Sequence, residues 1–174
     1  GYIQPAVNFP PMTAKYLYER FTDDIKEQEK IIIYDPSAGW GGRILGAMAC
    51  RDDRLIHYIG TDPNPANFYD DNVNSRYADL ADFYNTKTYR GNPFFSSTNS
   101  YELFKLGSEE IQHDEKFKEY KGKLDLIFTS PPYFNREAYS EDEQQSYKKY
   151  GSSYESWREG FLRPTLETCA EWLK

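Results

Sequence analysis

The sequence predicts a three-layer α/β fold built on a mostly parallel β-sheet. Short β-rich runs alternate with longer segments of helical periodicity. One run, Ile31–Tyr34, is apolar throughout, as in a strand buried on both faces. Strand–helix alternation of this kind produces parallel crossovers with helices on the sheet faces.

The elements follow in order. Thr13 is placed to cap a helix reaching about residue 28, with Leu17, Phe21 and Ile25 stacked at i, i+4 spacing. Ile31–Tyr34 is the first strand; it ends at Asp35-Pro36 and a glycine-rich turn, before a helix from about Gly42 to Arg51. Leu55–Gly60 is a second strand ending near Asp62, and Pro65 suits the first turn of a helix over 66–83. The third strand is Thr86–Arg90 or Phe94–Thr98. Glu109–Tyr120 reads as a charged surface helix and Leu124–Phe128 as another buried strand. Pro131-Pro132 suits neither a helix nor a central strand. Gly151–Ser153 opens a last helix, kinked at Pro164, in which Trp157, Phe161, Leu166, Ala170 and Leu173 recur. Residues 136–153 form a long polar loop, of the kind that is usually functional. Asp35, Asp62 and Ser130 each follow a predicted strand and so share the rim where ligands bind in such sheets.

Composition bounds the function. The 174 residues suit one domain with a sizeable core. The 28 acidic and 21 basic residues give a net charge of −7, which argues against a simple nucleic-acid-binding module. The 16 Tyr, 11 Phe and 3 Trp exclude a disordered acidic tail. No apolar run approaches a membrane span, and the opening residues carry no secretory pattern. Cys50 and Cys169 form neither a disulfide framework nor a zinc knuckle, so a reducing, cytoplasmic setting is expected. No His, Cys and acid cluster has metal-ligand spacing, and no metal is expected.

Two motifs carry chemistry. The first is Asp35-Pro36-Ser37-Ala38-Gly39-Trp40-Gly41-Gly42-Arg43. Glycines at a strand-to-helix turn let the backbone approach a ligand and present helix N-terminal N–H groups to it. It is not the dinucleotide fingerprint, because Ile44 occupies the third glycine's place, and no Lys-Ser/Thr pair makes it a P-loop. An acid at the entrance suits a ligand with an amino group beside a carboxylate; a tight turn with incidental glycines is the other reading. The second motif is Thr129-Ser130-Pro131-Pro132-Tyr133-Phe134. Its prolines stiffen the chain and leave carbonyls as pure acceptors, Ser130 adds a hydroxyl, and the aromatics add flat faces. That matches a planar base with an exocyclic NH₂; a proline-rich turn with core aromatics is the alternative.

Together, and in this order, the motifs resemble motifs I and IV of the S-adenosylmethionine-dependent amino-group DNA methyltransferases, which modify N4 of cytosine or N6 of adenine. Asn8-Phe9-Pro10-Pro11-Met12-Thr13-Ala14-Lys15-Tyr16 is similar to the family's motif X, and Asp62 matches its motif II acid. The resemblance implies a Rossmann-like methyltransferase catalytic domain over 1–174. It implies that Asp35, Ser37, Gly39 and Gly41 hold the methionine part of S-adenosylmethionine, with Pro11, Met12 and Thr13 closing over that end. Asp62 would take the ribose, and Asn99, beside Ser100, stands where a motif III residue meets the adenine. Ser130 and the Pro131 carbonyl would accept from the target NH₂ of a base flipped out of duplex DNA, with Pro132 stiffening the segment and Tyr133 stacking on the base. Alternatives are an RNA base or a protein side-chain amide as acceptor, or an inactive cofactor-binding subunit. The family fold continues with further strands, so an incomplete core lacking its target-recognition region is expected, that region or a separate subunit lying outside this chain.

The remaining candidates have blander readings. His57 and His113 read as structural or solvated, and residues 154–161 as core aromatics. Arg43 either pairs with an acid at the glycine turn or starts a helix in solvent. Arg136, Lys148 and Lys149 read as a solvated loop, with phosphate contact as the alternative. Both cysteines fall in predicted helices, which disfavours a thiolate mechanism at C5 of cytosine.

Overall fold

In the computed structural model of the protein, residues 7–25, 30–50, 55–70, 74–89, 99–134, 142–151 and 153–174 are described. The elements are α1 (Pro11–Phe21), β1 (Lys30–Asp35), α2 (Gly42–Ala49), β2 (Leu55–Thr61), α3 (Arg76–Tyr89), β3 (Ser100–Phe104), β4 (Leu126–Ile127), α4 (Ser146–Lys149), α5 (Tyr154–Trp157) and α6 (Arg163–Trp172). The strands form an all-parallel sheet in the order β3-β2-β1-β4, and the protein is of the α/β class. The chain winds outward from β1 through β2 to β3, then returns to place β4 on the other side of β1. The topological switch point therefore lies between β1 and β4.

Alternate strand residues feed two apolar clusters. Ile31, Ile33, Ile56 and Tyr58 pack with Ala14, Tyr18, Ile44, Met48 and Tyr77 of the helices. On the opposite face Tyr34, Ile59 and Phe104 meet Ile111, Phe117, Leu124 and Trp172. The Phe117 and Trp172 rings stack at 4.7 Å. The segment leading into α1 lies directly on α2: a Cβ on Gly42 would sit 1.9 Å from the Phe9 carbonyl oxygen, so only glycine permits this approach.

Several boundaries differ from the sequence expectation, each for a physical reason. Helix α1 begins at Pro11 behind Pro10, without a side-chain cap, and Thr13 is exposed within its first turn. It ends at Phe21, which is 62% exposed. The buried face is Ala14 and Tyr18, continued by Thr22, whose hydroxyl donates to the Tyr18 carbonyl. The helix expected over 66–83 starts only at Arg76; before it, Pro65–Asn67 makes a single 3₁₀ turn and Phe68 bridges Ser75. The third strand is Ser100–Phe104: Thr86–Tyr89 is helical, as the end of α3, and Phe94–Thr98 lies outside the described residues. Glu109–Tyr120 is not one surface helix but two 3₁₀ turns, Ile111–His113 and Phe117–Tyr120. Asp114 interrupts them by accepting from the Lys116 and Phe117 amides, which lets Ile111 and Phe117 both reach the core.

The last helix carries a π-helical segment, Arg158–Leu162, just before Pro164. Proline has no amide to donate and its ring crowds the carbonyl a turn earlier, so the wider turn relieves it. The buried stripe nevertheless keeps helical spacing through it. Trp157, Phe161, Thr165, Thr168 and Trp172 are buried, whereas Leu166 is 57% exposed. Of the expected loop, residues 142–151 include the short helix α4; 136–141 and 152 lie outside the described residues. Among the described residues, no helix is long and apolar enough to cross a membrane.

Candidate functional site

Beyond the carboxyl ends of the strands lies a cleft of about 760 Å³, its open mouth included. The turn after β1 contributes Pro36–Trp40, and Asp62 and Asn64 follow β2. Gly107–Glu109 come after β3, Ser130 and Pro132 after β4, and Gln144–Ser146 complete the wall with Phe161.

The glycine turn is shaped by its own backbone. Gly39 and Gly41 have φ of 62° and 88°, which disfavour any residue with a Cβ. The Ala38 amide donates to Thr61 O at 2.9 Å, and the Thr61 hydroxyl donates to Pro36 O at 2.7 Å, tying the turn to the end of β2. The Tyr77 hydroxyl lies 2.6 Å from the Gly39 carbonyl and also hydrogen-bonds Asp62, so one phenol joins the turn to the acid.

Asp62 is oriented by the Asn64 amide at 2.9 Å and by Asn67 Nδ2 at 2.6 Å. Burial raises its pKa above the ordinary carboxylate value, opposed by the hydrogen bonds from Tyr77, Asn64 and Asn67. Oδ2 accepts from both Tyr77 and Asn67, and Oδ1, which accepts from the Asn64 amide, keeps a lone pair at the cleft wall.

Asp35 has a different place from the one the sequence suggests. It is fully buried, does not line the cleft, and its acceptor capacity is filled. Oδ1 accepts from Thr129 Oγ1 at 2.8 Å and from the Ser37 amide at 3.2 Å. Oδ2 accepts from Arg43 Nε and from the Tyr58 hydroxyl, both at 2.7 Å. Arg43 also donates to the Ser37 carbonyl. Burial alone would weaken the Arg43 charge; the adjoining Asp35 more than offsets it and raises the guanidinium pKa. Of the two readings of Arg43, the acid pair is the one formed.

Asn99 is at the wrong end of the sheet for a ligand of this cleft. It precedes β3, and its side chain accepts from Ile56 N at 2.8 Å and donates to the carbonyls of Ala47, Met48 and Cys50. It closes the carboxyl end of α2 and has no exposure toward the rim. The position beyond β3 belongs instead to Gly107, Ser108 and Glu109. Glu109 is 6% exposed; Oε1 pairs with Lys149 at 3.1 Å and Tyr150 at 2.7 Å, while Oε2 has no hydrogen-bond partner. Sequence reasoning missed it because β3 was misplaced: an acid just past Tyr101–Phe104 was the available signal.

Pro11, Met12 and Thr13 do not line the cleft; they form the exposed first turn of α1, over α2. Ser37, Gly39, Asp62, Ser130 and Pro132 do line it, whereas Gly41 caps α2 behind the turn. Pro131 and Tyr133 are exposed at the outer side of their segment, Tyr133 by 59%. Phe134 anchors the far end of that segment against Tyr154 and Trp157, at 5.9 and 5.7 Å between ring centroids. Lys149 pairs with Glu109 and Glu110, and Lys148 approaches Glu143. Burial pushes the Cys169 thiol up to about 12, so it is no thiolate at neutral pH. Neither protein-family models nor curated proteins yield a match to this chain.

Proposed function

We propose that the protein transfers a methyl group from S-adenosylmethionine to the exocyclic amino group of a base in DNA, N4 of cytosine or N6 of adenine. One observation carries this reading: Ser37 and Gly39, Asp62, Glu109 and Ser130, drawn from the carboxyl ends of all four strands, converge on one cleft at the switch point. The three-layer Rossmann-like methyltransferase architecture belongs to the same proposal, as does the placement of Asp62 and Ser37–Gly39 around the cofactor.

The residues fit such a ligand. Asp62 presents its Oδ1 to the cleft wall, suited to a hydroxyl donor. Glu109 brings a buried carboxylate oxygen without a partner, which an amino group on a purine would satisfy. When bound, the cofactor supplies an electrophilic methyl group. Ser130 Oγ and the Pro131 carbonyl accept hydrogen bonds from the target NH₂. An arylamine nitrogen is a poor nucleophile because its lone pair is delocalised into the ring. Two acceptors favour the pyramidal, lone-pair-localised form and bind it more tightly in the transition state. The exposed Tyr133 ring offers a stacking face for a base turned out of the duplex.

The pairing of Lys148 and Lys149 with acids favours, as a second reading, an acceptor without phosphates, such as a protein side-chain amide. The experiment is tritiated methyl transfer to unmethylated DNA, RNA and protein in parallel, with nucleoside analysis of the product and calorimetry of S-adenosylmethionine binding. Label in N4-methylcytosine or N6-methyladenine is the expected result. Binding without transfer to any acceptor points to a cofactor-binding subunit, and absence of binding by the folded protein overturns the proposal.

A further inference from the structure

We infer that Asp35 and Thr129 form a strut that sets the Ser130–Tyr133 segment against the glycine turn, making both residues positioning residues rather than ligand contacts. The role in transfer rests on the function proposed above; the strut itself does not.

The backbone explains why such a device is needed. Strands β1 and β4 pair in register at Ile33–Leu126 and Tyr34–Ile127, and the last ladder bond runs from the Phe128 amide to the Tyr34 carbonyl at 3.0 Å. Beyond it the two chains part, one entering the glycine turn and the other the proline segment. At that fork a single oxygen, Asp35 Oδ1, accepts from both: the Ser37 amide at 3.2 Å and the Thr129 hydroxyl at 2.8 Å. The carboxylate cannot swing away, because Arg43 Nε and the Tyr58 hydroxyl hold Oδ2 at 2.7 Å each.

Among the described residues, the segment beyond has few other restraints. Pro131 and Pro132 have no amide hydrogen, so they contribute no donor to a neighbouring strand. The next anchor is the Phe134 ring against Tyr154 and Trp157. Ser130 and its neighbours are therefore suspended between the Thr129 hydroxyl and that aromatic contact. Displacement of a reacting group by about 1 Å costs on the order of 10²-fold in rate, so one hydrogen bond at the fork carries kinetic weight.

The test compares Thr129→Val, which keeps the shape and removes the hydroxyl, with Thr129→Ser, which restores it. In Thr129→Val, exchange of the hydrogen-bonded amides at the fork, Phe128 and Ser37, speeds by about tenfold or more while the protein stays folded. Its kcat for methyl transfer falls at least about tenfold with the S-adenosylmethionine affinity unchanged within about twofold. Thr129→Ser returns both readouts to the wild-type range. Wild-type exchange rates in Thr129→Val overturn the strut, and so does a loss of cofactor affinity in step with kcat. If wild-type protein binds no S-adenosylmethionine, the proposed function fails while amide exchange still decides the strut.

Discussion

At the amino end of the sheet, Asn99 commits its whole side chain to backbone groups of Ile56, Ala47, Met48 and Cys50. Beside it His57 sits between Ser100 Oγ at 2.8 Å and the Tyr120 hydroxyl at 3.0 Å, with Tyr120 donating onward to Glu102. At the carboxyl end, Asp62 and Ser130 face a cleft, and Glu109 retains a buried oxygen without a partner. Both ends hold buried polar groups with precise geometry. They differ in what the groups face: Asn99 and His57 are turned into the fold, whereas Asp62, Glu109 and Ser130 line a concave wall. Unfilled hydrogen-bonding capacity in a concave wall marks a binding site better than polarity does, because filled capacity only stabilises the fold.

Breaking each end separately should have opposite signatures. Ser130→Ala is expected to lower methyl transfer by about 10²–10³ with the melting temperature unchanged, read by tritium incorporation and thermal denaturation. Asn99→Ala should do the reverse. Leaving the end of α2 and Ile56 N unsatisfied costs about 3 kcal/mol of stability, with S-adenosylmethionine affinity unaltered below the melting transition. A loss of affinity without loss of stability would return Asn99 to the ligand site. Asp62→Asn should weaken cofactor binding about tenfold by calorimetry, roughly 1.4 kcal/mol, with little change in unfolding.

The smallest expected effect separates the two ends by pH. Burial, with Lys30 and Lys116 adding to it and Glu102 opposing, lowers the His57 pKa below its ordinary value. The unfolded chain therefore binds a proton more readily than the folded one. Stability is full above about pH 6.5 and declines as pH falls through the lowered value. Urea midpoints between pH 7 and 5 should show this decline in wild type and a flatter profile in His57→Gln.

The fold and the site were legible to different degrees. The β1 run Ile31–Tyr34, the following glycine turn and the helix after it could be read directly, because local apolarity and turn chemistry act over a few residues. Strand β3 escaped notice because Ser100–Phe104 carries a serine and a glutamate on an edge strand and lacks the apolar signature of β1. With it went Glu109. The burial pattern of the last helix was misjudged at Leu166, because the buried stripe from Phe161 to Trp172 runs through Thr165 and Thr168, which carry no apolar signal.

The sequence by itself determined the α/β class, the parallel winding and the two turns that carry chemical groups, all of which follow from local periodicity and from glycine and proline stereochemistry. Tertiary structure alone decided which of those groups face a ligand. Asp35 and Asn99 look as available in the chain as Asp62, yet they are filled by Thr129, Arg43 and Tyr58 in one case and by α2 carbonyls in the other. Their partners lie far along the chain, and hydrogen-bond capacity is exhausted in space rather than in sequence.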